Sequence, residues 1–172
     1  MGQIFQKASE QPVARKELIA YISVGEIYIP VGWHCTDSSI SVEIDTETQK
    51  DILGSVFTIA SAPELSQDFD PLPIRQGKAE DPLQPLQQML HDQWMSQDFS
   101  GTYDTLIVYL YAGVSETEFD AHRFPASTIT PGDFGGSAED PLNRPITIHY
   151  GGKMEVGTAT IDEKNIAKFT PK

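Results

Sequence analysis

The sequence predicts a mainly β protein, a β-sandwich or barrel of about seven or more strands with one flanking α-helix. Two observations support this fold class. Several segments alternate apolar and polar residues with period two, and only one stretch shows the helical period. The 172 residues, 39% of them apolar, are enough for one hydrophobic core, so we expect a single domain spanning residues 1–172.

The early part of the chain contains four predicted strands. Residues 17–23 and 26–31 are rich in β-forming residues and are joined by Val24-Gly25, which predicts a hairpin. Residues 39–45 alternate strictly, which predicts a strand with one buried and one solvent-facing side. The side expected to be buried consists of Ile40, Val42 and Ile44. Residues 55–60 form another apolar run.

The strongest strand signal lies at residues 102–112, where both alternating faces are apolar or aromatic. A strand of this kind is covered by protein on both sides, so we expect it at the centre of the fold. Two late strands are predicted at residues 145–150 and 153–162. They are joined by Gly151-Gly152, a pair that is typical of a tight hairpin turn.

One segment predicts an α-helix that begins close to Pro85. Its apolar residues recur at helical spacing on one stripe, and Asp81 precedes it as a candidate cap. The stripe consists of Leu83, Leu86, Leu90 and Trp94, with Met89 beside it. The opposite face is expected to be polar, with Gln87, His91 and Asp92. We therefore expect the helix to lie on the surface of the sheets.

Three segments predict long loops: residues 46–54, 69–81 and 128–145. The first is polar and follows the alternating strand, while the other two are rich in Pro, Gly and Asp. Loops of this length in a compact domain are often functional.

The charge excludes some partners. With 25 acidic and 12 basic residues the net charge is −13, which is unsuited to neutralising a phosphate backbone or an anionic membrane surface. The longest apolar run, residues 106–114, is shorter than the roughly 20 residues of a membrane span, and the first residues lack a signal-peptide pattern. The single cysteine, Cys35, excludes an internal disulfide, so we expect synthesis in a reducing cytoplasm.

Two acidic segments are the candidates for a chemical site. In each, potential ligands recur at every second residue, so an extended chain places them on one face. The first is Glu116, Glu118, Asp120 and His122, and the second is Glu43, Asp45 and Glu47. A solvated strand face explains both patterns better than a metal or carboxylate site. Motifs for nucleophiles, phosphate loops and paired zinc ligands are missing, so we expect no enzyme activity, cofactor or metal.

Two smaller expectations concern single residues. Cys35 is interpreted as a plain buried or half-buried thiol, because the neighbouring His34 would point to the opposite face of a strand. His149 alternates with apolar neighbours and is expected on the solvent-facing side of its strand.

Several segments together match the sequence pattern of one known protein family. Residues 39–54 (SISVEIDTETQKDILG) resemble a strand and following loop of that family. Three later segments resemble the closing loop and the last hairpin of that family. They are residues 130–142 (TPGDFGGSAEDPL), 146–152 (ITIHYGG) and 157–161 (GTATI). Residues 63–71 (PELSQDFDP) and the helix around residues 86–94 fit the middle of the family pattern. The resemblance runs from residue 18 to residue 161, and the family that the chain resembles is that of the bacteriophage major tail tube proteins.

The resemblance implies a structural protein of the virion. Family members share a β-sandwich with a flanking helix and form homohexameric rings that stack into a tail tube, through which double-stranded DNA leaves without specific binding. The implied partners are further copies of the chain, the tape measure, the tail terminator, and the baseplate or tip. The implied location is the phage tail, after synthesis in the host cytoplasm. Type VI secretion tubes and phage-like injection particles share this architecture.

The resemblance also assigns roles to residues. The segment that reaches the neighbouring ring would be Thr46, Glu47, Thr48, Gln49, Lys50, Asp51, Ile52 and Leu53. Glu43 and Asp45 are candidate lumen-facing acids, which would repel DNA. Lys50, Arg75 and Lys78 lie in predicted loops and are candidates for pairing with acids of a neighbour.

Two other functions remain open from the sequence. One is a carbohydrate-binding β-sandwich that uses exposed aromatic residues such as Trp33 or Tyr28. The other is a metal-dependent enzyme built on the segment from Glu116 to His122.

Overall fold

The computed structural model describes residues 17–32, 35–72, 84–135, 137–139, 142 and 144–172. Within these residues the fold is mainly β, with eleven strands and one helix, which confirms the predicted fold class. The strands are β1 (Leu18–Val24), β2 (Ile27–Pro30), β3 (Cys35–Glu43), β4 (Thr46–Lys50), β5 (Val56–Ala60), β6 (Glu64–Pro71), β7 (Tyr103–Gly113), β8 (Glu118–Pro131), β9 (Ile146–Tyr150), β10 (Glu155–Ile161) and β11 (Ala167–Pro171). The helix is α1 (Pro85–Ser96).

Six of these strands form a closed antiparallel barrel. β2, β1, β7, β8, β10 and β11 pair in that order, and the ring closes where Ala167 of β11 pairs with Tyr28 of β2. β1 and β2 are the expected hairpin, and Gly25 at its turn takes a left-handed conformation (φ 70°) that glycine adopts without steric cost. Closure removes the free edges that an open sheet would leave on these strands.

β8 belongs to two sheets. Its first half, Glu118–Arg123, pairs with β10 in the barrel, and its second half, Thr128–Pro131, pairs with β9. β9 continues to β6 and then to β3, which completes a four-stranded antiparallel sheet. At the bend between the halves, the Ser127 hydroxyl lies 2.6 Å from the Thr105 hydroxyl, so these buried polar groups satisfy each other.

The hairpin predicted across Gly151-Gly152 is wrong. β9 and β10 pair with different halves of β8, and the glycines carry the chain across its bend. A Cβ on Gly151 would lie 2.5 Å from the Ala126 carbonyl oxygen, while the Ala126 N–H donates to the Gly151 carbonyl at 3.1 Å. Glycine is needed here because only a residue without a side chain fits this approach.

β7 separates two hydrophobic cores, as the doubly apolar pattern predicts. Leu106 and Val108 are fully buried inside the barrel, and Ile107 is buried on the opposite side. The barrel core also contains Tyr21, Ala121, Ala159 and Ala167. The second core lies against the four-stranded sheet and α1, and it includes Ile22, Phe69, Leu86, Leu90, Phe124, Ile146 and Ile148. The chain therefore has a filled barrel and a sandwich layer beside it.

α1 begins at Pro85, close to the predicted start, because proline is tolerated in the first helical turn. Leu86 and Leu90 of the predicted stripe are buried, and Trp94 at its end is 38% exposed. Leu83 and Asp81 lie outside the described residues. In the part of the chain that the structure describes, no helix combines the length and apolarity needed to cross a membrane.

Gln87 corrects the prediction of a polar outer helix face. The residue is 2% exposed, and the connection between β8 and β9 contacts its backbone. In that connection, Arg144 Nη1 donates to the Gln87 carbonyl oxygen at 3.4 Å, and the guanidinium lies 4.7 Å from the centre of the Phe134 ring. Phe134 in turn packs on Trp94, with ring centroids 5.3 Å apart.

Two predicted loops are shorter than expected within the described residues. Phe69–Pro71, assigned to the loop at 69–81, are the last residues of β6, and residues 73–83 lie outside the described part. Residues 128–131, assigned to the loop at 128–145, are the second half of β8. Buried Phe69 and Ile129 extend both strands, since each adds apolar area to the second core.

Candidate assembly surfaces

The segment predicted as a loop at residues 46–54 is a β-hairpin, so that prediction is wrong. β4 and β5 pair antiparallel from Thr46 with Ala60 to Lys50 with Val56. β-Branched Thr46 and Thr48 favour the extended chain, and their polarity hid the strand from the sequence pattern. We call residues 44–63 the arm.

The tip of the arm is an ordered turn. Asp51 Oδ1 accepts the N–H groups of Leu53 and Ser55, both at 2.8 Å. The Gly54 N–H donates to the Asp51 carbonyl at 3.0 Å, and Gly54 is left-handed with φ 83°. These three hydrogen bonds hold the turn, so Ile52 and Leu53 project from a defined backbone.

The base of the arm contains a one-residue irregularity. Glu43 pairs with Glu64, and the next register pair is Thr46 with Ala60, so the second strand has one residue more than the first. Asp45 and Ser61 bridge this interval, since the Ser61 N–H donates to the Asp45 carbonyl at 2.8 Å. An extra residue of this kind bends a hairpin and increases its twist, so the arm leaves the direction of the sheet.

The arm and the end of β3 that leads into it expose an unusual amount of apolar surface. Every residue from 41 to 64 is exposed. Of the sixteen large hydrophobic side chains that the described residues expose, seven lie between residues 42 and 59. These are Val42 (59%), Ile44 (51%), Ile52 (102%), Leu53 (87%), Val56 (60%), Phe57 (44%) and Ile59 (49%). Val42 and Ile44, expected to be buried, are therefore uncovered within the subunit. Val42 lies near the end of the edge strand β3, and Ile44 lies at the base of the arm.

Apolar side chains lie on both faces of the arm. In a strand, successive side chains alternate, so Val56 lies on one face while Phe57 and Ile59 lie on the other. Glu47 is opposite Ile59, and Gln49 is opposite Phe57.

The acidic residues of this region are exposed. Glu43 stands opposite Glu64 at the end of the sheet, and like charges directly opposite each other repel. Within the arm, Asp45, Glu47 and Asp51 outnumber Lys50, the only basic residue there. The other proposed basic partners, Arg75 and Lys78, lie outside the described residues.

The segment from Glu116 to His122 does not form one site. Glu118 accepts a hydrogen bond from the Thr158 hydroxyl at 2.7 Å, and Asp120 pairs with the Lys172 ammonium at 2.8 Å. His122 Nδ1 lies 3.0 Å from the Tyr109 hydroxyl, and Glu116 is exposed in the turn between β7 and β8. No group of three or more metal-ligating side chains occurs among the residues described. These side chains have separate roles on the barrel surface.

Tyr28 is not an exposed aromatic residue of a sugar site. Its ring packs on the barrel core, and burial, followed by a hydrogen bond to Asp104, raises the pKa of Tyr28 to about 12. Trp33, the other candidate, lies outside the described residues. Of the two aromatic residues named for carbohydrate binding, the one that the structure describes is therefore half-buried.

An ion-pair cluster that no sequence pattern indicated joins strands of the barrel. Arg123 Nε donates to Asp104 Oδ2 at 2.9 Å, and Arg123 Nη1 donates to Glu155 Oε2 at 2.9 Å. The hydrogen bond to Asp104 is the main reason that the pKa of Arg123 is raised. The three residues lie on β8, β7 and β10, so the cluster joins three neighbouring barrel strands.

A groove of about 210 Å³ lies at the start of α1. Its walls come from β2, from the first turn of α1 and from the connection between β10 and β11. The lining residues are Ile27, Ile29, Pro30, Gln84, Pro85, Leu86, Gln87, Lys164 and Ile166. Their sequence separation explains why no local pattern indicated the groove.

Cys35 and His149 agree with their predictions. Cys35 is half-buried, and its Sγ accepts the Asp70 N–H at 3.2 Å. His149 is exposed on β9 between buried Ile148 and Tyr150. His34 lies outside the described residues.

Comparison with solved structures identifies the fold. The chain resembles one from the virion of a native gene transfer agent (GTA) particle, with a TM-score of 0.57, 10% identity, and coverage of 84% of this chain and 98% of that chain. It resembles one from the tail of an empty GTA particle refined with C6 symmetry, with a TM-score of 0.56, 12% identity, and coverage of 83% and 97%.

A third similar structure is the sheath/tube terminator of PVC, an extracellular contractile injection system, with a TM-score of 0.50, 17% identity, and coverage of 87% and 99%. No family model and no curated protein matches the sequence. At these identities the likeness concerns the fold, and it agrees with the resemblance to tail tube proteins that the sequence indicates.

Proposed function

We propose that this chain is a structural subunit of a phage tail tube, which assembles as homohexameric rings stacked into a conduit for DNA. The observation that carries this proposal is the exposed apolar arm, on a fold shared with chains of GTA virions and tails. One of those tails has C6 symmetry, which supports six copies per ring.

The arm supports self-assembly because its hydrophobic residues serve no core of their own subunit. Exposed apolar patches of this kind are typical of interaction sites. The alternation of Ile40, Val42 and Ile44 fits a half-buried strand, yet only Ile40 is half-buried in the isolated chain. A neighbouring subunit that covers the arm would complete the pattern. The segment from Thr46 to Leu53 would then reach the neighbouring ring.

The charge fits a DNA conduit. Six copies carry 6 × −13 = −78 formal charges, and a wall of one sign produces a field that repels DNA. Exposed Glu43 and Asp45 are the residues that we place toward the lumen, where DNA would pass without specific binding. Lys50 would pair with acids of the neighbouring subunit and offset part of the repulsion between rings.

The remaining partners follow from this role. The subunit would contact the tape measure, the tail terminator, and the baseplate or tip, and its mature location would be the virion after synthesis in the host cytoplasm. The function is structural, with no catalysis, cofactor or membrane. The fold likeness to the PVC terminator favours one second candidate, a subunit of a phage-like injection particle with a different cargo.

Negative-stain electron microscopy and sedimentation of the purified protein test the assembly. We expect rings of six, or tubes, either from the protein alone or after addition of tail components that nucleate assembly. A monodisperse monomer at high concentration under both conditions would contradict the proposal. Two serine variants provide a matched comparison: Phe57→Ser in the arm should reduce assembly, and Val156→Ser on the barrel surface should not, although both side chains are about half exposed (44% and 51%).

A further inference from the structure

The tip of the arm is the most exposed apolar site in the described chain. Ile52 is 102% exposed and Leu53 is 87% exposed, so neither side chain is covered by its own subunit. The Asp51 turn fixes the backbone of both residues before any partner binds. A preformed apolar tip loses little conformational entropy on docking, which favours insertion into a cavity.

The groove at the start of α1 has the chemistry that such a tip needs. Five of its lining residues are Ile, Leu or Pro on β2 and α1, and Ile166 adds to them. Its volume of about 210 Å³ equals that of roughly seven water molecules, which is room for branched aliphatic side chains. Among the described residues that line it, Lys164 is the only charged one, and Asp51 next to the apolar tip is acidic.

A polar complementarity accompanies the apolar one. Gln87 Oε1 in the groove wall is buried, and no donor reaches it in the described subunit. An unpartnered buried acceptor is costly, so a partner that supplies a donor gains from it. At the tip, the N–H groups of Asp51, Leu53, Gly54 and Ser55 are used by the turn, whereas the Ile52 N–H is left over. Docking of the tip would bring this free N–H donor to the groove that Gln87 lines.

We propose that the arm tip of one subunit, Ile52 and Leu53, docks in the α1 groove of a second copy of this chain. This deepens the proposed function and rests on it, since it names the acceptor surface for the arm. The tip and the groove are different surfaces, so the contact is heterologous: each subunit offers one of each, and docking repeats from copy to copy.

A mixing experiment tests this geometry with two variants. Leu53→Asp spoils the tip and leaves the groove intact, while Ile27→Asp, at a 42% exposed position, spoils the groove and leaves the tip intact. Each variant alone should remain in the state that forms without tip docking, which is either a monomer or a single ring. An equimolar mixture should form pairs of that unit, with twice its mass, and should not extend further.

The control and the contradicting results are specific. Val156→Asp, at a 51% exposed position on β10, should assemble like the unmodified protein. Circular dichroism and thermal unfolding should show that all three variants are folded. A mixture that remains at the starting mass, or extended assembly by either single variant, overturns tip-to-groove docking.

Cross-linking separates this inference from the proposed function. In a Cys35→Ser background, assemblies that carry Leu53→Cys and Ile27→Cys should be joined between subunits by a short bis-maleimide. Assemblies with Leu53→Cys and Val156→Cys should not be joined. Tubes that form without the first cross-link would overturn the docking site and leave the tube role standing. Unmodified, folded protein that never assembles would overturn the tube role itself.

Discussion

Deletion of residues 49–53 tests whether the arm serves assembly or the fold. The deletion removes the tip and leaves Thr48 and Thr58 paired, with residues 54–57 as the new turn. The deleted residues are all exposed and contact neither core, so the free energy of unfolding should change by only about 0.5 kcal/mol, as for other surface changes. For a chain of this size that is a shift in Tm of about 1–2 °C.

Assembly should respond far more strongly to the same deletion. Burial of a Leu or Ile side chain contributes about 1.5–3 kcal/mol, so loss of Ile52 and Leu53 removes about 3–6 kcal/mol per arm. For a single arm this corresponds to a contact weakened about 10²- to 10⁴-fold, and a ring of six loses six such contacts, so ring stacking should be lost at the concentrations where the unmodified protein stacks. Sedimentation across a concentration series measures this shift, and circular dichroism measures Tm. A fall in Tm of more than about 5 °C, or stacking at the original concentration, would refute the reasoning.

Three further predictions concern the barrel and its junction. Leu106→Ala removes a fully buried side chain from the barrel core and should cost about 2–5 kcal/mol in denaturant unfolding. Gly151→Ala places a Cβ against the Ala126 carbonyl oxygen and should cost about 1–3 kcal/mol, whereas Gly135→Ala, with open space at its Cβ, should be neutral in the same assay. Burial raises the pKa of Tyr21 and of Tyr28 from 10.0 to about 12, so the unfolded chain loses these protons first and stability should fall between pH 10 and 12. Tyr21→Phe should flatten this slope, and an unchanged slope would contradict the assignment.

Local patterns predicted the parts of the fold that depend on local burial. The periodicity of β7 and of α1 predicted both elements, because the same alternation or helical stripe continues along the whole element. β8 was missed because its two halves face different cores. Ala121 is buried in the barrel and Phe124 in the second core, so one continuous strand shows no single alternation.

The sequence predicted where the assembly segment lies along the chain, but not that it forms a β-hairpin. The segment from Thr46 to Leu53 was singled out, but its polar β4 half resembled a loop. The α1 groove could not be predicted, because Ile27, Leu86 and Lys164 meet only through the tertiary fold. The Gly151-Gly152 pair misled for a related reason. The two glycines do mark a close approach of two backbones. The approaching residue is Ala126 of β8, whereas the predicted hairpin would have paired β9 with β10.

The seam of the barrel has a consequence for synthesis on the ribosome. β2 emerges early, but its partner β11 is separated from it by most of the chain, because the seam joins Tyr28 and Ala167. Until β11 emerges, the barrel cannot close and Leu106 and Val108 lack part of their cover. The arm emerges long before closure, so the nascent chain exposes this apolar hairpin while the barrel is still incomplete. We expect the nascent chain to need chaperone protection until β11 is available to pair with β2.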